Sequence, residues 1–157
     1  RADEVGVGLG VDDARTLIDV GMRIKRAVMT SLPLTHPFDP DLAFLYGTIF
    51  VGAAANPAHH SRNVCIFADG ELDRSPTGTG VSARAALHFA KGEIGLHEPF
   101  VVESILGTTF TGSVHELTAF GPYPAVIPQV AGMASICGRN HIFIDPLDPL
   151  RHGFLLR

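Results

Sequence analysis

No tryptophan occurs in this chain, and only two cysteines, Cys65 and Cys137. They lie far apart, form no CxxC pair and fit no zinc-ribbon or redox spacing, so the expectation is two reduced, largely buried thiols in a cytoplasmic protein. Charge is also sparse: 12 Lys+Arg against 16 Asp+Glu give a net −4, with no basic stripe. That balance excludes a nucleic-acid partner on electrostatic grounds. No apolar run approaches the roughly 18 residues of a membrane-spanning helix, so no membrane role is expected. A signal-peptide pattern and an initiator methionine are missing too. The chain opens at Arg1 with residues that read like the interior of something longer, and the expectation is a fragment.

What is present is the composition of a globular domain, 46% apolar over 157 residues. Gly6, Gly8 and Gly10 form a flexible lead-in, after which Asp12 or Asp13 is placed to cap a helix. From Ala14, the positions Leu17, Ile18, Gly21, Ile24 and Val28 keep helical spacing, with Arg15, Asp19, Arg23 and Arg26 off the stripe. Arg23, Lys25 and Arg26 are expected in the last turns, complementing the helix dipole before Pro33 stops the helix. A proline-rich loop, LPLTHPFDPD, leads to a candidate strand over residues 44–53. NPAHHSRN then reads as a turn, VCIFA at 64–68 as a second strand, and Asp69-Gly70 as a hairpin turn. Alanine-rich residues 82–91 predict a helix that neighbours wrap closely, with Gly92 as its stop. Beyond it, FVVESI, TTFTGSVHEL, YPAVIPQVAGMASICG and HIFID read as strands. The pattern is α+β, without repeats or low-complexity tracts.

The stretch that carries chemistry is Asp73-Arg74-Ser75-Pro76-Thr77-Gly78-Thr79-Gly80, just before a helix. A glycine-rich turn at a helix N-terminus presents unpaired backbone N–H groups and the positive end of the dipole, which suits an anion. The spacing is not that of a Walker loop, because no lysine follows, and the third glycine of a dinucleotide fingerprint is absent. A small carboxylate therefore fits better than a nucleotide. Taken alone, a GxG before a helix is as readily a plain helix-entry turn. Asp73 adds a counter-charge for an ammonium or imino nitrogen, and the combination suits an amino acid.

DRSPTGTG resembles the second catalytic motif of the proline racemase family, DRSPCGTG in its racemase and epimerase members. Ordered companions support it: His36-Pro37, AFLYGTIF at 43–50, GTTFTG at 107–112 and IDPLDPLRHGF at 144–154. The resemblance implies a diaminopimelate epimerase-like fold, in which mostly antiparallel strands wrap a central helix and substrate binds between two such halves. It further implies catalysis with no metal or other cofactor. Residues 1–137 would be the C-terminal catalytic half-domain and residues 138–157 a closing C-terminal strand segment. By position, Asp73 would engage the ring nitrogen of a proline-like substrate, and the backbone of Gly78 and Thr79 its carboxylate. Phe67 would line the apolar part, although a buried strand phenylalanine explains it equally well.

Two departures from the family pattern matter. Thr77 stands where racemases carry cysteine. Racemisation needs an acid/base group on each face of the ring, and a thiol with a reference pKa of about 8.5 serves where a threonine hydroxyl does not. A β-elimination needs only one proton abstraction, and Thr77 would then hydrogen-bond the leaving 3-hydroxyl or the departing water. The branch with threonine here resembles trans-3-hydroxy-L-proline dehydratase, a hydro-lyase that yields Δ1-pyrroline-2-carboxylate. Second, the family's other cysteine motif, MCGH-like and in the N-terminal half, has no counterpart. The fragment is expected to be inactive without that half and its general base. Alternatives are a 4-hydroxyproline 2-epimerase or proline racemase, and a non-catalytic amino-acid-binding module; homodimerisation stays open.

Other residues are set aside. His59-His60 are expected in a solvated loop, since adjacent side chains rarely share an ion. His36 is read as structural, Asp145 and Asp148 each precede a proline and fit turns, and Asp69 and Glu71 fit a hairpin. Cys65 and Cys137 match neither catalytic motif.

Overall fold

A computed structural model describes residues 1–154. Six strands form one mixed sheet: β1 (Gly47–Gly52), β2 (Ser61–Phe67), β3 (Glu71–Leu72), β4 (Phe100–Glu103), β5 (Thr109–Phe120) and β6 (Tyr123–Gly132). Their order is β1-β2-β4-β5-β6, with β3 paired to β2. Among these, only β2 and β4 run parallel. The α+β architecture, with mostly antiparallel strands around a helix, is thus present.

Two helices cover opposite faces. α1 (Ala14–Ser31) buries Leu17 and Gly21 against Phe50, Val64 and Ile66. Each such aliphatic side chain contributes about 1.5–3 kcal/mol by leaving water. Gly21 is needed for the approach: a Cβ there would sit 2.9 Å from Cβ of Ile66. α2 (Gly78–Ala90) packs Val81 and Ala85 on Phe100, Val102 and Val114 of the other face. Gly112 on β5 admits it, since a Cβ would meet Val81 Cγ1 at 2.7 Å. Period-two alternation along β2 separates the faces: Val64 and Ile66 go to α1, Asn63 and Cys65 to α2. The long β5–β6 hairpin then curls over α2, with Val126 and Val130 packed on its core.

Several local expectations shift. α2 starts at Gly78, four residues before Ser82, because Val81 N–H donates to the Thr77 carbonyl at 2.8 Å. Gly92 does stop it, at φ 70°. Asp13 caps no helical N–H and instead accepts from Gly10 N–H at 3.0 Å. α1 runs to Ser31, beyond its cations, and Lys25 Nζ donates to the Ala68 carbonyl at 2.6 Å. β2 begins at Ser61, inside the stretch read as a turn, and β6 ends at Gly132. HIFID forms no strand, and residues 138–154 lack one altogether. Its apolar side chains Ile142, Phe143 and Ile144 are 83%, 92% and 69% exposed, so no facing strand holds them. Residues 155–157 of the expected closing segment lie outside the described residues. Cys65 is buried as expected, but Cys137 is exposed.

His59 and His60 lie in the loop before β2, and His60 is exposed as expected, but His59 is half-buried against an acidic side chain. Glu103, buried at the end of β4, accepts from Ala55 N–H at 2.8 Å, Asn56 N–H at 2.9 Å and Arg62 Nη2 at 2.9 Å. His59 Nδ1 lies 2.9 Å from the same carboxylate. Burial pushes the Glu103 carboxyl up, but the Asn56 and Ala55 N–H groups, His59 and Arg62 outweigh it and hold it at about 2. The sign follows from this depression below the ordinary 4.5. Stability from Glu103 is complete above about 4.5 and is lost as pH falls through about 2. Glu103→Gln is expected to lower stability at neutral pH by about 3 kcal/mol, because it leaves Arg62 unpaired. The same substitution should flatten the acid limb of a denaturation series between pH 5 and 2. An unchanged acid limb would remove Glu103 from the account.

Candidate active site

β2, its hairpin with β3 and the start of α2 converge on one cavity of about 570 Å³. Asp73, Thr77, Gly78, Thr79 and Phe67, drawn from the sequence as one site, all line it. The fold brings them together because Asp73 N–H donates to the Cys65 carbonyl at 3.0 Å, fastening the loop beside β2. The Asp73 carboxylate then organises the turn, with Oδ1 accepting from Ser75 N–H at 2.8 Å and Oδ2 from Thr77 Oγ1 at 2.8 Å. Each oxygen keeps a lone pair for a further donor.

Thr77 is the conformational outlier of the site, with φ 68° and ψ 104°. A β-branched residue there costs about 1–3 kcal/mol and persists only where its surroundings over-determine it. Immediately after it, the first N–H groups of α2 have no helical acceptor. Gly78, Thr79 and Gly80 carry them along the cavity wall. Around Gly78 a Cβ would meet nothing within 4 Å, so the backbone there stands open. Open backbone N–H groups and the Asp73 carboxylate thus face one cavity.

Opposite this polar edge the wall is apolar: Leu45, Tyr46, Ile49 and Phe67. Tyr46 stacks on Phe67, centroids 5.6 Å apart and planes 31° from parallel. Cys65 completes the lining, and sequence reasoning had discounted it. Burial pushes its thiol up, Asp73 adds to the rise, and a Thr77 hydrogen bond partly opposes it. That thiol therefore stays protonated at neutral pH and is no base. Leu45, Tyr46 and Ile49 were also missed as lining, although AFLYGTIF was legible as a motif. A second cavity of about 590 Å³ lies between Arg74, Gly107, Phe110, Met133 and Cys137, and no carboxylate among the described residues lines it. No group of three or more His, Cys, Asp or Glu among the described residues is arranged to hold a metal.

A family model described as "Proline racemase" matches residues 1–155. The chain belongs to the proline racemase family. A Colwellia psychrerythraea protein named trans-3-hydroxy-L-proline dehydratase is 48% identical over 157 residues, 100% of this chain and 44% of that protein. A Burkholderia multivorans protein named 3-hydroxyproline 2-epimerase is 43% identical over 141 residues, 90% of this chain and 42% of that protein. Among solved structures, a hydroxyproline epimerase from Agrobacterium vitis with bound trans-4-hydroxy-L-proline superposes with a TM-score of 0.88 at 30% identity. It aligns with 99% of this chain and 44% of its own. The chain thus spans under half the length of these proline racemase relatives. No described helix is long and apolar enough to cross a membrane.

Proposed function

We propose that this chain is the C-terminal half of a cytoplasmic, cofactor-independent hydro-lyase that converts trans-3-hydroxy-L-proline to Δ1-pyrroline-2-carboxylate and water. The observation that carries this reading is Thr77: a hydroxyl already donated to Asp73 at 2.8 Å occupies the position of a family cysteine. Such a group neither takes nor returns a Cα proton efficiently at neutral pH. One face of the bound ring therefore lacks an acid/base partner, which disfavours racemisation and leaves elimination open.

In this reading the substrate carboxylate sits on the N–H groups of Gly78 and Thr79, and the ring ammonium pairs with Asp73. The helix N-terminus and its N–H groups stabilise negative charge that spreads from Cα onto the carboxylate as the proton leaves. A base on the N-terminal half removes that proton. The C–H electron pair, held first as a carbanion delocalised onto the carboxylate, then forms the C2–C3 double bond as the C3–O bond breaks. The departing hydroxide, on the same face as the base in the trans isomer, takes up the proton that the base carries and leaves as water. Thr77 Oγ1, on the opposite face of the ring, stays bonded to Asp73. The enamine then tautomerises to the cyclic imine. Tyr46 and Phe67 cover the apolar ring edge, excluding water and strengthening each polar contact.

The test is product identity. NMR of the intact protein's reaction with trans-3-hydroxy-L-proline should show the cyclic imine and no 2-epimer; accumulation of epimer alone would replace the lyase with the isomerase reading.

A further inference from the structure

Behind the catalytic loop lies a buried polar chain that the reading above does not use. Asn63 on β2 is fully buried, and its Nδ2 donates to the Pro76 carbonyl at 3.1 Å. Arg84 on α2 is 8% exposed. Its Nη1 donates at 2.7 Å both to Asn63 Oδ1 and to Ser61 Oγ. Nη2 reaches His88 Nε2 at 3.1 Å, and His88 Nδ1 contacts Glu93. Among the described residues no carboxylate forms an ion pair with this guanidinium.

A buried guanidinium with no carboxylate paired directly to it is a poor device for stability alone, since apolar residues of similar volume generally serve a fold as well or better. Its placement gives it another consequence. Arg84 orients the Asn63 amide so that oxygen faces the guanidinium and nitrogen faces Pro76, and it polarises that N–H into a stronger donor. The Pro76–Thr77 peptide is thereby held at both ends, its carbonyl by Asn63 and its N–H by Ser75 Oγ at 3.0 Å. A peptide plane fixed in this way leaves Thr77 in its left-handed conformation. From there its hydroxyl meets Asp73 and its carbonyl accepts the first helical bond from Val81.

We propose that Asn63 and Arg84 are positioning residues: the relay Arg84–Asn63–Pro76 sets the Thr77 backbone and with it the hydroxyl and N–H groups that face substrate. The inference rests on reading the 570 Å³ cavity as the substrate site.

The decisive variant is Asn63→Asp in the intact protein. It keeps an acceptor for Arg84, even neutralising it, but presents an oxygen instead of a donor to the Pro76 carbonyl. The melting temperature should therefore stay within about 4 °C of wild type. Meanwhile kcat on trans-3-hydroxy-L-proline should fall at least tenfold, roughly the effect of a lost positioning interaction. Arg84→Lys, which still reaches Asn63 Oδ1, should recover most of kcat, and Arg84→Met should not. Equal kcat in a folded Asn63→Asp protein would overturn the proposal. The Thr77 φ in a crystal structure of that variant decides the matter apart from turnover. A negative φ supports the relay, whereas a retained positive φ with Thr77 still on Asp73 overturns it. Absence of any turnover by wild type would overturn the functional reading alone, leaving this structural arm in force.

Discussion

Asp73→Asn is expected to lower kcat/KM for trans-3-hydroxy-L-proline by about 10²–10³-fold in the intact protein. The side chain has two tasks at once. Among the described residues it is the only carboxylate lining the cavity, and it accepts from both Ser75 N–H and Thr77 Oγ1. An asparagine offers one oxygen and one NH2 group. Whichever way the amide turns, one of the two loop donors faces another donor, and the substrate ammonium loses its counter-charge. A charge-assisted hydrogen bond contributes about 1.5–3 kcal/mol, and the misfit in the loop adds about 1 kcal/mol, together the predicted range. Steady-state kinetics on the purified variant checks it. A loss under threefold would mean that Asp73 only shapes the turn.

Thr77→Cys is the second large effect, and it changes the reaction as well as its rate. Cysteine needs less strain than a β-branched residue at φ 68°. Its thiol restores a proton donor and acceptor on the face where the threonine hydroxyl is committed to Asp73. General acid/base groups contribute about 10²–10⁴-fold, so Cα exchange and epimer formation should rise by at least about 10²-fold above wild type. Elimination should fall as the intermediate is reprotonated before the hydroxyl departs. NMR in D2O counts both products. A folded Thr77→Cys protein that still only dehydrates would show that something other than this residue selects the reaction.

The parts of the fold that were legible in the sequence are those set by local physics. α1 shows its stripe of Leu17, Ile18 and Gly21, and β2 is read from VCIFA, because period and composition alone decide them. Gly92 stops α2 because its positive φ requires little from distant residues. The DRSPTGTG loop is compact enough that Asp73 and Thr77 reach one another within five residues, so the grouping of its residues was legible too. What stayed hidden depends on partners far along the chain. Cys65 joins the cavity, and His59 and Glu103 meet across 44 residues, only because β2 pairs with β3 and β4. Arg84 in an alanine-rich helix gave no sign of its bond to Asn63, 21 residues upstream. HIFID was read as a strand from β-propensity, yet a strand needs a neighbour, and none of the described residues supplies one.

Proton transfer at Cα is separated from elimination by offering trans-4-hydroxy-L-proline to the intact protein in D2O. This substrate has no 3-hydroxyl to lose, so it isolates proton transfer at Cα. A single base facing Thr77 predicts no epimer, and no deuterated epimer, while trans-3-hydroxy-L-proline in a parallel sample is converted to cyclic imine. Epimer carrying deuterium at Cα would contradict the account, because two faces of the ring would then be exchanging protons with Thr77 in place.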